Sequence, residues 1–488
     1  MQPEEQLINR RIEKLGKIKK LGINPYPYKF EANNFSKDIL EKYSKLKNEE
    51  KTNGKISLAG RIITLRPMGK IAFGHLQDYK GRIQFFVNEK ELSKKEFELF
   101  NLLDLGDIIG INGIVFRTKA GEITILVKTL ELLTKSLRPL PDKWHGLKDI
   151  EERYRKRYVD LIANPEVKEI FVKKFKIINS IRETLNKKDY IEVDTPIVQS
   201  VYGGANAKPF KTYVNDLKRD AYLRISDELY LKRLIVGGFD RVYEMSKDFR
   251  NESIDSSHNP EFTMIEYYQA YADYDDTMKL TQEIILNANK IIGNKNEINF
   301  QDKKINFKTP WKVMTMKDAI KQYGKIDADK LNDKELFKLK DKYKLEHKGK
   351  LTRGWMIQLL FEHFAEENLI NPTFIIEHPR ETTPLCKESI KNPELIERFE
   401  LFIAGMEISN GYSELNNPIL QRKLLEEQAK ELKQGFEEAN PMDEDFVRAI
   451  EQGMPPTSGV GIGIDRLAMI LTQVNSIKDI ILFPMMKN

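Results

Sequence analysis

From Ile56 to Leu133 the chain changes its period, and this change restricts the fold more than any other feature. The stretches ISLAGRIITL, FGHLQDYKGRIQFFV, DIIGINGIVFRT and GEITILVKTLELL read as short strands, separated or punctuated by Gly69, Gly81, Gly106, Gly110, Gly113 and Gly121. Five or so strands with one helix between them, Glu91 to Leu103, fit a barrel of the OB type. Such a barrel is often used on single-stranded nucleic acid. Ahead of it, Ile8, Ile12, Leu15 and Ile18 stand at helical spacing, and the first twenty residues hold six basic and three acidic groups. That is an amphipathic helix with a basic outer face, either a solvated surface helix or one that helps to hold an RNA backbone. The connector NPYPYKF and a second polar helical stretch to about Glu50 follow.

The proline-rich segment Leu137 to Asp149 marks a domain boundary. Beyond it, helical patterns over Val167–Asn186, Asp275–Ile292 and Trp355–Asn368 interleave with strands, which predicts an α+β architecture around an antiparallel sheet flanked by helices. The expected division is 1–136 for the N-terminal helices and OB-fold barrel, 137–160 for a linker, and 161–488 for the larger domain, with an insertion at about 275–350. Within it the lysine-heavy stretch Lys321–Lys350 reads as solvated surface.

Composition limits the class. With 40% hydrophobic and 32% charged residues the chain is a water-soluble globular type, and no apolar run approaches the roughly 20 residues a membrane span needs. The N-terminus carries acidic residues and no signal-like apolar core. A lone cysteine, Cys386, excludes intrachain disulfides and multi-cysteine zinc sites, and fits a reducing, cytoplasmic setting. The six histidines show no metal-ligand spacing, and a net charge of +6 does not by itself announce a nucleic-acid partner.

Chemistry concentrates in FRNESIDSSHNPEFTMIEYY, Phe249 to Tyr268, read as two strands around a polar loop. Alternation puts Arg250 and Glu252 on one face of the first strand, and Phe262, Glu266 and Tyr268 on one face of the second. A cation, an aromatic plate and carboxylates on one surface suit a nucleotide together with a cationic small molecule. Periodicity alone leaves Phe262 equally readable as a core phenylalanine.

This stretch resembles motif 2 of the class II aminoacyl-tRNA synthetases, and FRNE…HNPEFT resembles their lysine-specific branch. NKKDYIEVDTP, Asn186 to Pro196, is similar to motif 1, with Asp189 in place of the usual glycine. PPTSGVGIGIDRLAMILT, Pro455 to Thr472, is similar to motif 3, and ERFELFIAGMEISNGYSELNNP, Glu397 to Pro418, to the lysine-binding strands. The resemblance covers nearly the whole chain.

It implies that lysine is activated by ATP to lysyl-adenylate, with release of pyrophosphate, and is then passed to the 3′ end of tRNA(Lys). By resemblance Arg250 holds the α-phosphate and the substrate carboxylate, Arg466 the far phosphates, Glu252 the adenine edge, His258 and Asn259 the closing loop, and Phe262 the adenine face. Glu400 and Glu407 are implied as ligands of Mg2+, a hard cation shared with phosphate. The resemblance assigns the ε-amino group to Glu414 and Tyr268 with Glu266 close by, the α-amino group to Glu228 and the Gly204 carbonyl, and the carboxylate to Asn410. Tyr412 shares the strand face of Asn410 and Glu414. Strict alternation puts Glu407 on the opposite face, so a bulge near Ile408 and Ser409 is required. Where the family usually has Ala-Pro, this chain has Ser226-Asp227, an extra carboxylate beside Glu228. On the barrel, Phe73, Gln84 and Glu122, with Arg66, match positions that read a U-rich anticodon; the other reading of Phe73 is a barrel-core residue. Motif 1 implies a homodimer. Aspartate and asparagine enzymes share this layout, but Glu414 opposes an acidic or amide side chain. A non-catalytic RNA-binding descendant is opposed by the intact Arg250, Glu252, Glu400, Glu407 and Arg466.

Overall fold

The computed structural model describes residues 3–141, 147, 149–347, 351–435 and 439–487. It divides into two compact units, Met1–Pro165 and Glu166–Asn488. Part of the expected proline-rich boundary, 142–146 and 148, lies outside the described residues. The rest of the expected 137–160 linker is not simply extended, because helices run over Ile150–Arg155 and Arg157–Ala163.

In the first unit, α1 (Pro3–Lys20) precedes a closed barrel of β1 (Lys51–Met68), β2 (Ile71–Gln77), β3 (Arg82–Asn88), β4 (Ile108–Arg117) and β5 (Ile123–Thr134), in the order β1-β2-β3-β5-β4. Alternation fills the barrel with Leu58, Ile62, Leu76, Phe85, Val87, Ile111 and Val127, all buried. The helix between β3 and β4, α2 (Lys94–Phe100), starts on a capping box in which Ser93 and Glu96 satisfy each other's backbone amides. The apolar stripe of α1 is only partly used: Ile18 is buried but Ile12 is 47% exposed. Arg11 anchors the helix instead, donating to the carbonyls of Leu105 (2.9 Å), Ser136 (3.0 Å) and Arg138 (3.1 Å).

The second unit is built on an eight-stranded sheet. Its strands are β6 (Ile191–Glu192), β7 (Arg241–Phe249), β8 (Glu261–Ala270), β9 (Lys312–Thr315), β10 (Thr373–Pro379), β11 (Leu395–Ile403), β12 (Met406–Ser413) and β13 (Thr457–Gly463), in the order β9-β10-β11-β12-β13-β8-β7-β6. Only the two edge pairings are parallel. One face is apolar, with Tyr243, Ile265, Tyr267, Phe399, Leu401, Val460 and Ile462 packed in a common core with α3 (Pro165–Asn186), α5 (Tyr274–Ile291) and α7 (Ile464–Thr472). Side-chain alternation sends the intervening polar residues to the other face. There α4 (Glu228–Val236) and α6 (Glu444–Glu451) pack through Leu231, Ile235, Phe446 and Val447.

The stretch read as solvated surface, Lys321–Lys350, is not wholly so. Helix α5 supplies Ile284 and Ile285 to the main core, and within Lys321–Lys350 the side chains of Ala328 and Leu336 are buried in a smaller cluster with Met356, Leu360 and Phe361. Asp189, where the motif ordinarily has glycine, takes φ +62°, a conformation aspartate tolerates better than most side chains. Among the described residues no helix is long and apolar enough to cross a membrane.

Candidate active site

Registry makes the floor of the site. Across the sheet, Arg398 pairs with Tyr412, Tyr412 with Gly459, and Gly459 with Tyr268; one step along, Glu400 pairs with Asn410, Asn410 with Gly461, and Gly461 with Glu266. Two glycines thus stand at the centre of the polar face. A Cβ on Gly459 would overlap the Tyr268 ring and the Glu414 carboxylate, so its absence is what brings these groups close together. The cleft above has a volume of about 400 Å³ and is lined by residues of β8, β12 and β13, the 250–260 loop, and the starts of α4 and α7.

The bulge that alternation requires is present. Leu401 pairs with Ser409 but Phe402 pairs with Glu407, which leaves Ile408 as the extra residue. Glu407 and Asn410 therefore line the same cleft. The reading of Arg250 and Glu252 on a strand is corrected: β7 ends at Phe249, and both residues start the loop, whose backbone closes through Arg250 N–H to Pro260 O at 2.9 Å. The loop still turns both into the cleft with Phe262. Arg250 lies over the Phe262 ring, 5.1 Å from its centroid, and Phe262 is half-buried and lines the cleft, not a core residue.

A second arginine is fixed from the far side. Arg466 donates to Glu407 O at 3.0 Å and to His258 Nε2 at 2.7 Å. Because a guanidinium only donates, His258 Nε2 accepts, which leaves Nδ1–H to donate to Asp255 Oδ2 at 2.8 Å. Burial would raise the Asp255 pKa, but the bonds from the Ser257 amide and His258 pull it below the usual range. The neighbour of Arg466, Asp465, accepts from Lys174 at 2.5 Å and from the Thr263 amide at 2.7 Å, tying α7 to α3 and β8. Asn259 also lines the cleft, and its amide donates to Glu261 O.

The carboxylates divide into two groups. Glu228, Glu266 and Tyr268 line one end of the cleft with Gly204, Asn410 and Tyr412. Glu266 accepts from Ser226 Oγ (2.7 Å), the Asp227 amide (3.1 Å) and Tyr268 OH (3.1 Å). Burial, with Asp248 and Glu228 nearby, still pushes its pKa up to about 8. Glu414 is fully buried beneath the lining, where it pairs with Lys232. Its pKa is also pushed up to about 8, as burial outweighs Lys232. Asp227 turns away from the cleft and pairs with Arg224 at 3.0 Å.

At the other end Glu407 lines the cleft, whereas Glu400 stands behind it, held by Arg398. Desolvation and Glu400 raise the Glu407 pKa, and desolvation, Glu407 and Glu400 push Glu366 up to about 7. These crowded carboxylate oxygens fit a hard divalent cation. Among the described residues no group of three or more potential ligands meets at one point.

Three contributors escaped the sequence reading. Arg398 donates to Asn410 (3.2 Å), Thr382 (3.2 Å) and Glu400, and its phase with Glu400 on β11 was a usable signal. Lys232 stands four residues after Glu228 on one helix, but its other partner, Glu414, and the Glu266 partner of Ser226 are remote in sequence and gave no signal.

On the barrel, Arg66 and Phe73 are directly paired across β1 and β2, and Phe73 stacks against Phe86 with centroids 4.6 Å apart. Phe73 is half-buried; the barrel core is filled by Phe85 instead. Gln84 donates to Glu122 at 2.5 Å, and His75, which the sequence reading passed over, reaches the other Glu122 oxygen at 2.9 Å. The four expected residues therefore share one strip, on which Arg66 and Glu122 are exposed and Phe73 and Gln84 half-buried.

Fold and cleft together define an enzyme of the class II synthetase type carrying an OB barrel. Residues 149–487 match the family described as tRNA synthetases class II (D, K and N), and residues 56–133 the OB-fold nucleic acid binding domain; the chain belongs to that synthetase family. Within it, similar proteins are the lysine-tRNA ligases of Carboxydothermus hydrogenoformans (48% identity, 99% of this chain and 98% of the relative) and Halalkalibacterium halodurans (47%, 99% and 97%). That of Methanoculleus marisnigri is 48% identical, over 98% of this chain and 94% of its own length.

Proposed function

We propose that the chain is a lysine-tRNA ligase that forms lysyl-adenylate and then lysyl-tRNA(Lys). The observation that carries this reading is a single cleft in which an arginine-aromatic plate adjoins a floor of buried carboxylates, Glu228 and Glu266 in the lining and Glu414 beneath it. Adenine stacks on Phe262 with Glu252 at its edge, and Arg250 takes the α-phosphate and the lysine carboxylate, which Asn410 also holds. Glu228 and the Gly204 carbonyl take the α-ammonium; Glu414, Tyr268 and Glu266 take the ε-ammonium, with Tyr412 beside it.

In the first step a lysine carboxylate oxygen bonds to the α-phosphorus as the bond to pyrophosphate breaks. Charge control is the main requirement, and Arg250 and Arg466, the latter with His258 and Asn259 on the far phosphates, supply it without acting as acids or bases. Glu400 and Glu407 would hold Mg2+, which when bound neutralises phosphate charge. In the second step a ribose hydroxyl oxygen of the terminal adenosine bonds to the lysyl carbonyl carbon as the bond from that carbon to the AMP phosphate oxygen breaks, and the hydroxyl proton passes to the departing phosphate or to water. Arg66, Phe73, Gln84 and Glu122 read the anticodon by stacking and by polar edges. Ile191, Ile197 and Val198, within and just after motif 1, are 52%, 45% and 50% exposed, which supports a homodimer through this face. A reducing cytoplasmic setting suits the single cysteine. ATP-pyrophosphate exchange across the twenty amino acids tests the reading: lysine alone is expected to support it efficiently, and preference for any other amino acid overturns it.

A further inference from the structure

Lys232 is the only cation that forms an ion pair with Glu228 or Glu414 among the described residues. Its side chain is wholly buried on α4, its Nζ pairs with Glu228 Oε1 at 2.5 Å and with Glu414 Oε2, and the Phe446 ring lies 5.9 Å away. Leaving an ammonium in such a place is costly unless it serves the carboxylates around it. The arrangement is directional. Glu414 Oε1 has no hydrogen-bond partner and lies where a side chain on Gly459 would be, and Gly459 lines the cleft. One oxygen of Glu414 is thus paired with Lys232 while the other lies against Gly459, a residue of the cleft lining. Glu228, pinned through Oε1, itself lines the cleft.

Charge counting gives the reason for a resident cation. Glu228, Glu266 and Glu414 are 3%, 4% and 0% exposed, and when ionised bring three negative charges against the one positive charge of Lys232. The excess of two equals the two ammonium groups of lysine, and the lysine carboxylate is left to Arg250. Without Lys232, two neighbouring carboxylates would relieve their repulsion by sharing a proton, and one acceptor would be lost.

Resting on the proposed function, we infer that Lys232 is a positioning residue for substrate specificity: its ammonium holds Glu228 and Glu414 apart and oriented so that the two ends of a diamino acid are met together. It touches neither substrate nor phosphate.

The test uses the full-length protein in lysine-dependent pyrophosphate exchange, with lysine and ATP titrated separately. Lys232→Met is expected to raise the KM for lysine about 100-fold or more, the scale of breaking a buried pair, and to leave the KM for ATP within about 3-fold. Lys232→Arg, which keeps the charge, is expected to hold the lysine KM within about 10-fold of wild type. A purely structural lysine would not separate the two substrates in this way. If Lys232→Met does not accumulate as folded protein, Lys232→Gln takes its place in the comparison with arginine. A neutral variant with a near wild-type lysine KM, or an arginine variant as impaired as the neutral one, overturns the inference. Failure of the wild-type chain to respond to lysine would instead overturn the functional reading, so the two failures are told apart.

Discussion

At the scale of single residues, the lysine end of the cleft depends on one missing side chain. Gly459 sits between Tyr268 and Tyr412 in the sheet register, and any Cβ there would meet the Tyr268 ring and Glu414 at impossible distances. Gly459→Ala is therefore expected to push both groups out of place and to raise the KM for lysine about 100-fold, at the upper end of ~1–3 kcal/mol for overpacking. The ATP side, built from Arg250, Phe262 and Arg466, should keep its KM; exchange assays with each substrate varied check this, and an equal loss on both sides would point to general unfolding. The same end of the cleft titrates. Glu266 and Glu414 are each pushed up to about 8, so below that range they hold protons that lysine must displace. Only the ionised carboxylates favour an ammonium, so the lysine KM is expected to fall as pH rises from about 6 to about 8, by up to ~10-fold per unit where one proton is displaced. A flat profile of lysine KM at saturating ATP over that window would mean that both carboxylates are already ionised in the free enzyme.

At the scale of elements, β13 running into α7 shows how a strand and a helix start fix one arginine. Arg466 sits in the first turn of α7, and Asp465 beside it ties that turn to Lys174 and to the Thr263 amide. Arg466 can thus be removed without loosening the helix. Arg466→Ala is expected to lower kcat for adenylate formation ~100- to 1,000-fold, the scale for removing one preorganised charge stabiliser, with an unchanged thermal midpoint. Near wild-type exchange would show that the far phosphates are held elsewhere. Much of this geometry was legible in the sequence, because strand parity is a local rule: it put Glu266 and Tyr268 on one face and demanded the irregularity found at Ile408. What it missed follows from the same locality. The end of β7 at Phe249 is set by the loop bond from Arg250 to Pro260, and the pairing of Lys232 with Glu414 joins a helix to the end of β12, two segments that no periodicity connects. The Lys232 partner of Glu414 was illegible for that reason, although the place of Glu414 in phase with Asn410 and Tyr412 was not.

At the scale of the whole molecule, the two compact units carry different chemistry. Every residue assigned to lysine, ATP or metal lies in Glu166–Asn488, and the strip of Arg66, Phe73, Gln84 and Glu122 lies in Met1–Pro165. Each unit has its own apolar core, so loss of side chains outside the barrel core should leave the sheet domain intact. The double substitution Phe73→Ala and Gln84→Ala removes a half-buried ring stacked on Phe86 and the amide bonded to Glu122, and neither contributes to the barrel interior. Stacking is worth ~1–3 kcal/mol per base, so the double variant is expected to weaken tRNA affinity roughly 5- to 150-fold. Pyrophosphate exchange should remain within about 2-fold of wild type, because adenylate formation needs no tRNA contact in this division of labour. The two assays run side by side on the same preparation decide the matter. Equal loss in exchange and in aminoacylation would mean that the barrel supports the catalytic fold, and unchanged aminoacylation would mean that the anticodon is read away from this strip.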